Sequence, residues 1–426
     1  MWVNGLSVVP ALALAVLGAP AAHGALAPDL VVAVDGSGDF ATVQAAVDSV
    51  PEGNTQRLVI LVRAGVYEEQ VLIHNRSCLT ILGAGLERTT IVADIPFPDW
   101  NEGRLPDAVG RSTVNLGVAR DIIFDGLTIA NSADTTAHTF ALDDTHALSE
   151  AVPRATDRII VQNCRVTANG LDTLSLWHHG DYYLRNVQVT GAGHHLGIRG
   201  TAYVTDSTIT SHGRRTVSLF HDGHVSPSEK LVLRDCRFTG EGPYGLGSGK
   251  IEAAYYLINC SFSHLLQADL PVFYSQERPD GTYEMLTEGL RAYFSGSRGP
   301  DYPWLADNLA QAEGAPAAEQ VTAAWTFGGR WDPERRDPPR IVDLSRTGTT
   351  VSLTFSEPVT AKGSPRLVLA GGGRAEYASG SGTTVLRFRL PRRTEAEVLR
   401  VDPSNAAIIG SMATAHTRRA EAALPR

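Results

Sequence analysis

The amino-acid sequence predicts an all-β protein in which a long parallel β-solenoid precedes a small antiparallel β-sandwich. Two observations predict the solenoid: a six-residue pattern recurs at intervals of twenty residues or more, and short β-branched segments stand between turn residues. A third observation, alternation of apolar and polar residues after residue 340, predicts the sandwich. With 43% hydrophobic residues among 426, the chain can bury a sizeable core.

Residues 1–25 differ from the rest of the chain and are interpreted as a signal peptide. The run from Leu6 to Pro20 is almost wholly apolar, and the small residues 21–25 suit cleavage by a signal peptidase. An uncleaved anchor is the alternative, but this run is shorter than the roughly 20 residues of a membrane span. We therefore expect a secreted or periplasmic protein that has no membrane contact after signal removal.

The solenoid domain is expected to span residues 26–331 and to begin with a short helix. Between Thr42 and Val50 the apolar residues recur at helical spacing, and Pro51 ends the pattern. A short amphipathic helix at this place covers the open end of the first coils.

Five later segments share one pattern: apolar, any, Asn or Asp, small, any, apolar. Their Asn or Asp residues, separated by 20 to 29 positions, are Asn163, Asn186, Asp206, Asp235 and Asn259. An irregular period in this range, with a strand and a turn in each unit, is typical of stacked β-solenoid coils. A leucine-rich repeat has a similar period, but the leucine pattern of that fold is missing.

Three of the four cysteines lie in the small position of this repeat, where Cys behaves as a small buried hydrophobe. Four cysteines are few for a disulfide scaffold of this length, and none has the close paired spacing of a zinc site. We therefore expect unpaired, buried thiols at Cys78, Cys164, Cys236 and Cys260.

The C-terminal part of the chain changes character twice. Residues 332–339, DPERRDPP, are predicted to be a charged, proline-rich linker. Residues 340–400 are predicted to form an Ig-like β-sandwich, because apolar residues alternate with polar ones between Gly-rich turns. Residues 401–426 are expected to be a frayed tail. The small sandwich domain is expected to bind or tether rather than to catalyse.

The charge balance argues against one class of partner. Lys and Arg number 37 against 46 Asp and Glu, which gives a formal net charge of -9. A nucleic-acid-binding protein normally presents a basic face, and no run of basic residues supplies one. We therefore expect no nucleic-acid partner.

Several segments resemble the pectinesterase (pectin methylesterase) family. They are residues 34–51 (VDGSGDFATVQAAVDSVP), 62–69 (VRAGVYEE), 82–91 (LGAGLERTTI), 172–174 (DTL) and 323–327 (AAWTF), so the likeness spans about residues 30–331. The resemblance implies a right-handed, single-stranded parallel β-helix. It also implies hydrolysis of the methyl esters of polygalacturonate to pectate and methanol, without a metal or a cofactor.

The resemblance further implies an aspartate nucleophile, an aspartate general acid/base, glutamines at the oxyanion site and an arginine that holds the nucleophile. The general acid/base is kept as Asp172, but the neighbouring glutamine has become Leu171. The nucleophile position falls on His194, the upstream glutamine position on His138, and the arginine position on Ser248. Most of the implied machinery is therefore substituted.

Three hypotheses follow from these substitutions. In the first, the protein is an esterase with altered machinery, in which neutral His194 acts as a base on water and Asp172 is its partner or a proton donor. In the second, the fold has lost catalysis and binds polysaccharide along its groove. In the third, histidines with Asp172 and Asp222 bind zinc or a similar ion. The histidines in question are His178, His179, His194, His195, His212, His221 and His224.

We favour the esterase, with Asp172 and His194 as catalytic residues and no metal or cofactor. Substrate contacts are expected from His138, Trp177 and Ser248; the indole of Trp177 suits stacking on a sugar ring, with core packing as the alternative. The expected partner is pectin or a related uronate polysaccharide, and the protein is expected to be a monomer.

Overall fold

The computed structural model describes residues 28–96, 110–135, 138–144, 154–212, 217–221, 228–249, 254–267, 270–278, 280, 283–286, 291–314, 316–335, 341–370, 373–381, 383–391, 398–402 and 407–410. The proposed signal peptide, the proposed metal ligands Asp222 and His224, and most of the predicted tail lie outside these residues. Within the described part of the chain, no helix is long and apolar enough to cross a membrane.

Short strands connected by turns make up the N-terminal domain. In chain order they are β1 (Leu30–Val32), β2 (Leu58–Val62), β3 (Gly65–Glu68), β4 (Val71–His74), β5 (Leu79–Gly83), β6 (Thr89–Ala93), β7 (Ser112–Gly117), β8 (Arg120–Asp125), β9 (Thr128–Asn131), β10 (Phe140–Asp143), β11 (Asp157–Gln162), β12 (Arg165–Ala168), β13 (Leu174–Leu176), β14 (Asp181–Arg185), β15 (Gln188–Gly191), β16 (Leu196–Ile198), β17 (Thr201–Thr205), β18 (Thr208–Ser211), β19 (Val217–His221), β20 (Leu231–Arg234), β21 (Arg237–Gly240), β22 (Gly245–Gly249), β23 (Tyr255–Ile258), β24 (Ser261–Phe262), β25 (Val272–Glu277), β26 (Tyr283–Leu286) and β27 (Ala292–Ser295).

These strands form three sheets that run the length of the domain. Sheet 1 has the order β1-β2-β5-β8-β11-β14-β17-β20-β23-β27, sheet 2 the order β26-β25-β22-β19-β16-β13-β10-β7-β4, and sheet 3 the order β24-β21-β18-β15-β12-β9-β6-β3. Every pairing is parallel except that of β25 with β26. Each full coil passes through sheet 1, then sheet 3, then sheet 2, so the predicted parallel β-helix is confirmed.

The repeated Asn and Asp residues occupy the turn between a sheet 1 strand and a sheet 3 strand. All five have a positive φ between 51° and 54°: Asn163, Asn186, Asp206, Asp235 and Asn259. Asn and Asp tolerate this left-handed conformation better than other residues that carry a Cβ atom. The Asn186 amide also donates to Asn163 Oδ1 at 2.9 Å, which links one coil to the next.

The interior is filled by stacked columns of apolar side chains. In sheet 2, Leu142, Leu174, Leu196 and Leu219 are in register and fully buried. Each such side chain stabilises the fold by roughly 1.5–3 kcal/mol relative to leaving it exposed. All four cysteines are buried and unpaired, as predicted.

The open end of the β-helix carries the predicted helix, α1 (Val43–Asp48). Thr42 begins it, because its hydroxyl accepts from the Ala45 N–H at 3.2 Å. Glu69 accepts from the N–H groups of Val43 and Gln44 at 2.7 and 2.9 Å. The carboxylate thus pairs two donors that the first turn of the helix leaves open.

The chain after β27 covers the outer face of sheet 1. It contains helix α2 (Ala323–Thr326) and three short 3-10 helices, Pro303–Leu305, Leu309–Gln311 and Ala318–Gln320. Val321 and Phe327 pack in one buried cluster with the stacked rings of Tyr183 and Tyr203, whose centroids are 6.2 Å apart. This segment includes the AAWTF motif, which is therefore structural.

Seven antiparallel strands form the C-terminal domain: β28 (Ile341–Thr347), β29 (Thr350–Lys362), β30 (Arg366–Leu369), β31 (Arg374–Ser379), β32 (Thr383–Arg389), β33 (Val398–Asp402) and β34 (Ala407–Gly410). They enclose their own core, which includes Leu353, Leu367 and Phe388. The sheet continues past the predicted boundary at residue 400, because β33 pairs with β30 and β34 with the second half of β29.

Candidate functional site

The candidate site lies on sheet 2, at the beginnings of three neighbouring strands. Leu142 of β10, Leu174 of β13 and Leu196 of β16 are aligned in register and point into the core. Asp172 and His194 each stand two residues before their leucine, so the register places them side by side on adjacent coils. Within a strand, residues two positions apart point to the same face, so both side chains would point inward with their leucines. Asp172 and His194 lie just before the strands begin, where the chain turns, so this rule does not apply to them.

Asp172 is held between two imidazole rings. His194 Nδ1 lies 3.1 Å from Asp172 Oδ1, and His138 Nδ1 forms a hydrogen bond with Asp172 Oδ2. The carboxylate is buried, with 5% of the residue exposed, whereas the side chains of His138 and His194 are 28% and 34% exposed. The structure therefore brings together three of the five residues that the sequence singled out.

The environment keeps Asp172 ionised. Burial alone would raise its pKa, but the hydrogen bonds from His138 and His194 and the charges of these rings outweigh burial and lower the pKa to about 2. A carboxyl group whose pKa is lower in the folded state stabilises the fold above its unfolded pKa of about 4. That contribution is lost as the pH falls toward 2.

The geometry of the two rings fixes their chemistry. Because both rings present Nδ1 to Asp172, the carboxylate accepts the Nδ1 proton of a neutral ring and leaves Nε2 with a lone pair. A carboxylate that orients an imidazole in this way turns Nε2 into a base and stabilises the imidazolium that forms. The arrangement can remove a proton from water and return it to a leaving group.

Aromatic rings pack against both imidazoles. His138 stacks on Phe140, with ring centroids 6.3 Å apart, and His194 lies 4.9 Å from Phe220. Phe220 lies in turn 6.4 Å from Trp177, and both aromatic residues are half-buried. The His-Asp-His group is thus continuous with an aromatic surface along sheet 2.

Two arginines border this surface. The Arg111 guanidinium lies 4.0 Å from the Phe140 ring centre and makes two hydrogen bonds of 3.2 Å to the carboxylate of Asp143. The Arg199 guanidinium lies 4.3 Å from the centre of the Trp177 ring. Sequence analysis missed these residues, although Arg199 follows β16 as Trp177 follows β13, which the leucine register would have revealed.

A buried carboxyl group supports the same surface from behind. Asp144 accepts from the N–H of Trp177 at 2.5 Å and from the hydroxyl of Tyr182 at 2.7 Å. Burial raises its pKa to about 7, against the lowering effect of these hydrogen bonds. Asp144 is therefore protonated over most of the acidic range and fixes the point at which the chain leaves β13.

Asp144→Asn is expected to change how stability depends on pH. The raised pKa means that the folded state keeps a proton that the unfolded chain releases above about pH 4. The wild type should therefore lose stability from about pH 4 to pH 7, by up to about 4 kcal/mol for a shift of this size. Asn does not titrate, so thermal melts should show the variant gaining on the wild type over this range.

Asp206→Asn is the matched control, because Asn already occupies the equivalent turn in the units of Asn163 and Asn186. Its melting temperature should follow that of the wild type at every pH. An equal difference between Asp144→Asn and the wild type at pH 4.5 and at pH 8 would contradict the assignment.

Ser248 and four further histidines have neighbours other than Asp172. Ser248 is on β22, two strands beyond β16, where it pairs with Phe220 of β19. His195 and His221 are buried and bond to the backbone carbonyls of Gly191 and Gly200. His179 pairs with Glu229 at 3.0 Å, and His212 with Glu241 at 3.2 Å. Among the described residues, no group of three or more His, Cys, Asp or Glu is arranged to hold a metal ion.

Comparison with known proteins relates this site to one family. Residues 29–223 match the family model described as Pectinesterase. Pectinesterase 31 of Arabidopsis thaliana is 28% identical over 219 residues, which cover 50% of this chain and 66% of that protein. A pectinesterase of Petunia integrifolia is 25% identical over 223 residues, which cover 51% of this chain and 55% of the relative. The chain thus matches less than two thirds of the length of these relatives.

Solved structures show the same architecture. Pectin methylesterase PemA from Erwinia chrysanthemi aligns with a TM-score of 0.58 at 20% identity, covering 72% of this chain and 99% of that chain. A pectin methylesterase in complex with hexasaccharide VII aligns with a TM-score of 0.58 at 19% identity, covering 73% of this chain and 100% of that chain. At this identity the likeness shows the fold, which confirms the predicted right-handed parallel β-helix.

Proposed function

We propose that this chain is a pectinesterase, whose family model matches residues 29–223, and that it hydrolyses the methyl esters of a pectic polysaccharide through an Asp-His group. The observation that carries the proposal is the placement of ionised Asp172 between the Nδ1 atoms of His138 and His194. The products are a polysaccharide carboxylate and methanol, and the substrate class agrees with the saccharide complex of the structural relative.

His194 is proposed to act as the general base. Its Nε2 takes a proton from water while the water oxygen attacks the ester carbonyl carbon, and Asp172 stabilises the resulting imidazolium. When the tetrahedral intermediate collapses, the carbon–methoxy bond breaks and the imidazolium returns the proton to methoxide. The carboxylic acid product then releases its own proton to solvent. No covalent enzyme intermediate is required.

His138 is proposed to contact the substrate from the other side of Asp172. Its exposure of 28% leaves part of the ring open to solvent, and Nδ1 is engaged by the carboxylate. When this ring is protonated, both of its nitrogens carry a proton, and the Nε2–H can donate to an ester oxygen, where a donor contributes a few kcal/mol to transition-state stabilisation. Trp177 and Ser248 are proposed to line the groove further along sheet 2.

Release of methanol from methyl-esterified pectin by the purified protein is the direct test. We expect turnover that continues after chelator treatment, because no step in the mechanism uses a metal. Binding of pectin without methanol above background would replace the enzyme by a polysaccharide-binding β-helix. Loss of turnover on chelation, restored by added zinc, would instead favour the metal-dependent variant.

The remaining assignments concern the whole chain. We propose export of a monomer that acts on an extracellular polysaccharide, with residues 1–25 as the signal and residues 332–339 as a linker. The apolar run from Leu6 to Pro20 supports export. We place the end of the C-terminal domain at Gly410, where β34 ends, and propose a binding or tethering role for this domain.

A further inference from the structure

The charge of the chain is divided unequally between its two domains. Residues 340–410, which hold the seven strands of the C-terminal domain, contain 10 Lys and Arg against 6 Asp and Glu. Residues 1–339 contain 24 Lys and Arg against 39 Asp and Glu. The part of the chain with the β-helix is therefore strongly acidic, whereas the smaller domain carries a net positive charge. A negatively charged polymer is repelled by the first and attracted by the second.

Strand β32 presents two arginines on the outer face of the C-terminal sheet. Leu386 and Phe388 of this strand are fully buried in the domain core, and the exposed residues Arg387 and Arg389 alternate with them. Among the residues that the structure describes, neither guanidinium group has a hydrogen-bond or ion-pair partner. The two side chains start about 7 Å apart, because a strand rises about 3.4 Å per residue. They are therefore two adjacent, unneutralised cations.

The neighbouring strands leave these two cations accessible. On β29, Thr350 and Ser352 stand opposite the two arginines, so hydroxyl groups lie along one side of the pair. On β31, Glu376 stands opposite Arg389, but its carboxylate is paired with Arg366 at 2.9 Å. The acidic residue nearest in register is thus neutralised by a different arginine. The resulting surface combines free positive charge with hydroxyl groups, which donate and accept hydrogen bonds.

We infer that Arg387 and Arg389, with Thr350 and Ser352 beside them, bind the free carboxylates of a uronate polysaccharide. These four residues are called the arginine face. One guanidinium group donates two parallel N–H bonds to one carboxylate, so two groups on one strand hold two carboxylates of the same polymer. The inference rests on the proposed function, because it takes pectin as the substrate, and it assigns the proposed tethering role to named residues.

The arginine face has a consequence for how the enzyme meets its substrate. Hydrolysis of methyl esters creates carboxylates, to which the C-terminal domain then binds. Binding through a second domain raises the effective concentration of the remaining esters near the β-helix. On long, partly esterified pectin, the double variant Arg387→Gln/Arg389→Gln should therefore show a severalfold higher KM and an unchanged kcat. A lower kcat with unchanged KM would contradict a tethering role.

Calorimetric titration of the full-length protein with polygalacturonate tests the inference without turnover. Arg387→Gln/Arg389→Gln should weaken binding about tenfold, since each exposed charge pair contributes modestly and two are lost. Binding of the fully methyl-esterified polymer should not change, because this polymer has no free carboxylates. Arg387→Lys/Arg389→Lys should bind the acid more tightly than the Gln variant and more weakly than the wild type, since Lys keeps the charge but not the paired donors.

Arg237→Gln/Arg298→Gln is the matched control. Both arginines are exposed residues of the β-helix domain, and their replacement removes the same total charge. Affinity for polygalacturonate should remain that of the wild type, and thermal melts show whether each variant is folded. Equal losses in the two Gln variants would mean that net charge alone governs binding, which overturns the arginine face. In the wild type, added salt should weaken binding of the acid and not of the ester, and this measurement needs no variant.

Duplex DNA is the second polyanion in the experiment. If DNA binds as tightly as polygalacturonate and loses affinity equally in Arg387→Gln/Arg389→Gln, the polysaccharide assignment is overturned. Loss of polygalacturonate binding in this variant, together with no methanol release by the wild type, would support the arginine face and refute the esterase. Methanol release by the wild type, with unchanged polygalacturonate binding in the variant, would overturn the arginine face and leave the esterase standing.

Discussion

Asp172→Asn is expected to reduce methanol release by about a thousandfold or more. An amide has only one acceptor oxygen and no negative charge, so it cannot accept the Nδ1 protons of both His138 and His194. The two rings therefore lose their fixed tautomer. It also cannot stabilise an imidazolium, and loss of the carboxylate in comparable Asp-His groups costs about 10⁴ in kcat. The measurement is the initial rate of methanol release from methylated pectin at neutral pH.

Two further measurements make this prediction specific. Asp206→Asn serves as the control, since it changes the same functional group in a turn that accepts Asn elsewhere in the repeat, and should retain full activity. Asp172→Asn should also lose the stabilisation that the lowered pKa of Asp172 provides above about pH 4, which a thermal melt at pH 7 will show as a lower Tm. Retention of a tenth of wild-type activity would refute the central role of Asp172.

His194→Gln is expected to remove most of the methanol-releasing activity of the wild type, whereas His138→Gln should have a smaller effect. Loss of a general base costs about 10²–10⁴ in rate, and loss of one donor to an ester oxygen costs less when the second ring remains. His194 is the more exposed of the two rings, at 34% against 28%, and its ring lies 4.9 Å from that of Phe220. Values of kcat and KM for each variant are the measurement.

The pH profile distinguishes the two roles. The wild-type rate should fall on the acidic side, because a protonated imidazole cannot accept a proton from water. That acidic limb should disappear in His194→Gln and persist in His138→Gln. His264→Gln, on an exposed turn, is the control and should match the wild type. An acidic limb that persists in His194→Gln and vanishes in His138→Gln would exchange the roles assigned to the two rings.

The repeat allowed much of the fold to be predicted, because local chemistry dictates it. A turn that requires a left-handed residue selects Asn or Asp at each unit, so residues such as Asn163 and Asn186 mark the coils directly in the sequence. The end of the C-terminal sheet was harder to predict. β34 joins the sheet by pairing with distant β29, and such a long-range partner leaves no local pattern.

The candidate site could be predicted in part. Asp172, His138 and His194 were located by their place in a family pattern, and the structure brings them together. The contribution of Arg111 could not be predicted, because its partner Asp143 lies on the following coil and the pairing depends on three-dimensional register. The raised pKa of Asp144 likewise comes from burial. No local sequence pattern around Asp144 marks it as buried.

The unpaired cysteines have a consequence for production and handling of the protein. Cys164 and Cys236 lie in the packed interior, and burial raises the pKa of the Cys164 thiol to about 12 and that of Cys236 well above its ordinary value. Thiols that stay protonated and shielded exchange slowly with disulfides and oxidants. The native fold therefore needs no oxidative maturation, and we expect the same active conformation from a reducing cytoplasm as from an oxidising exterior.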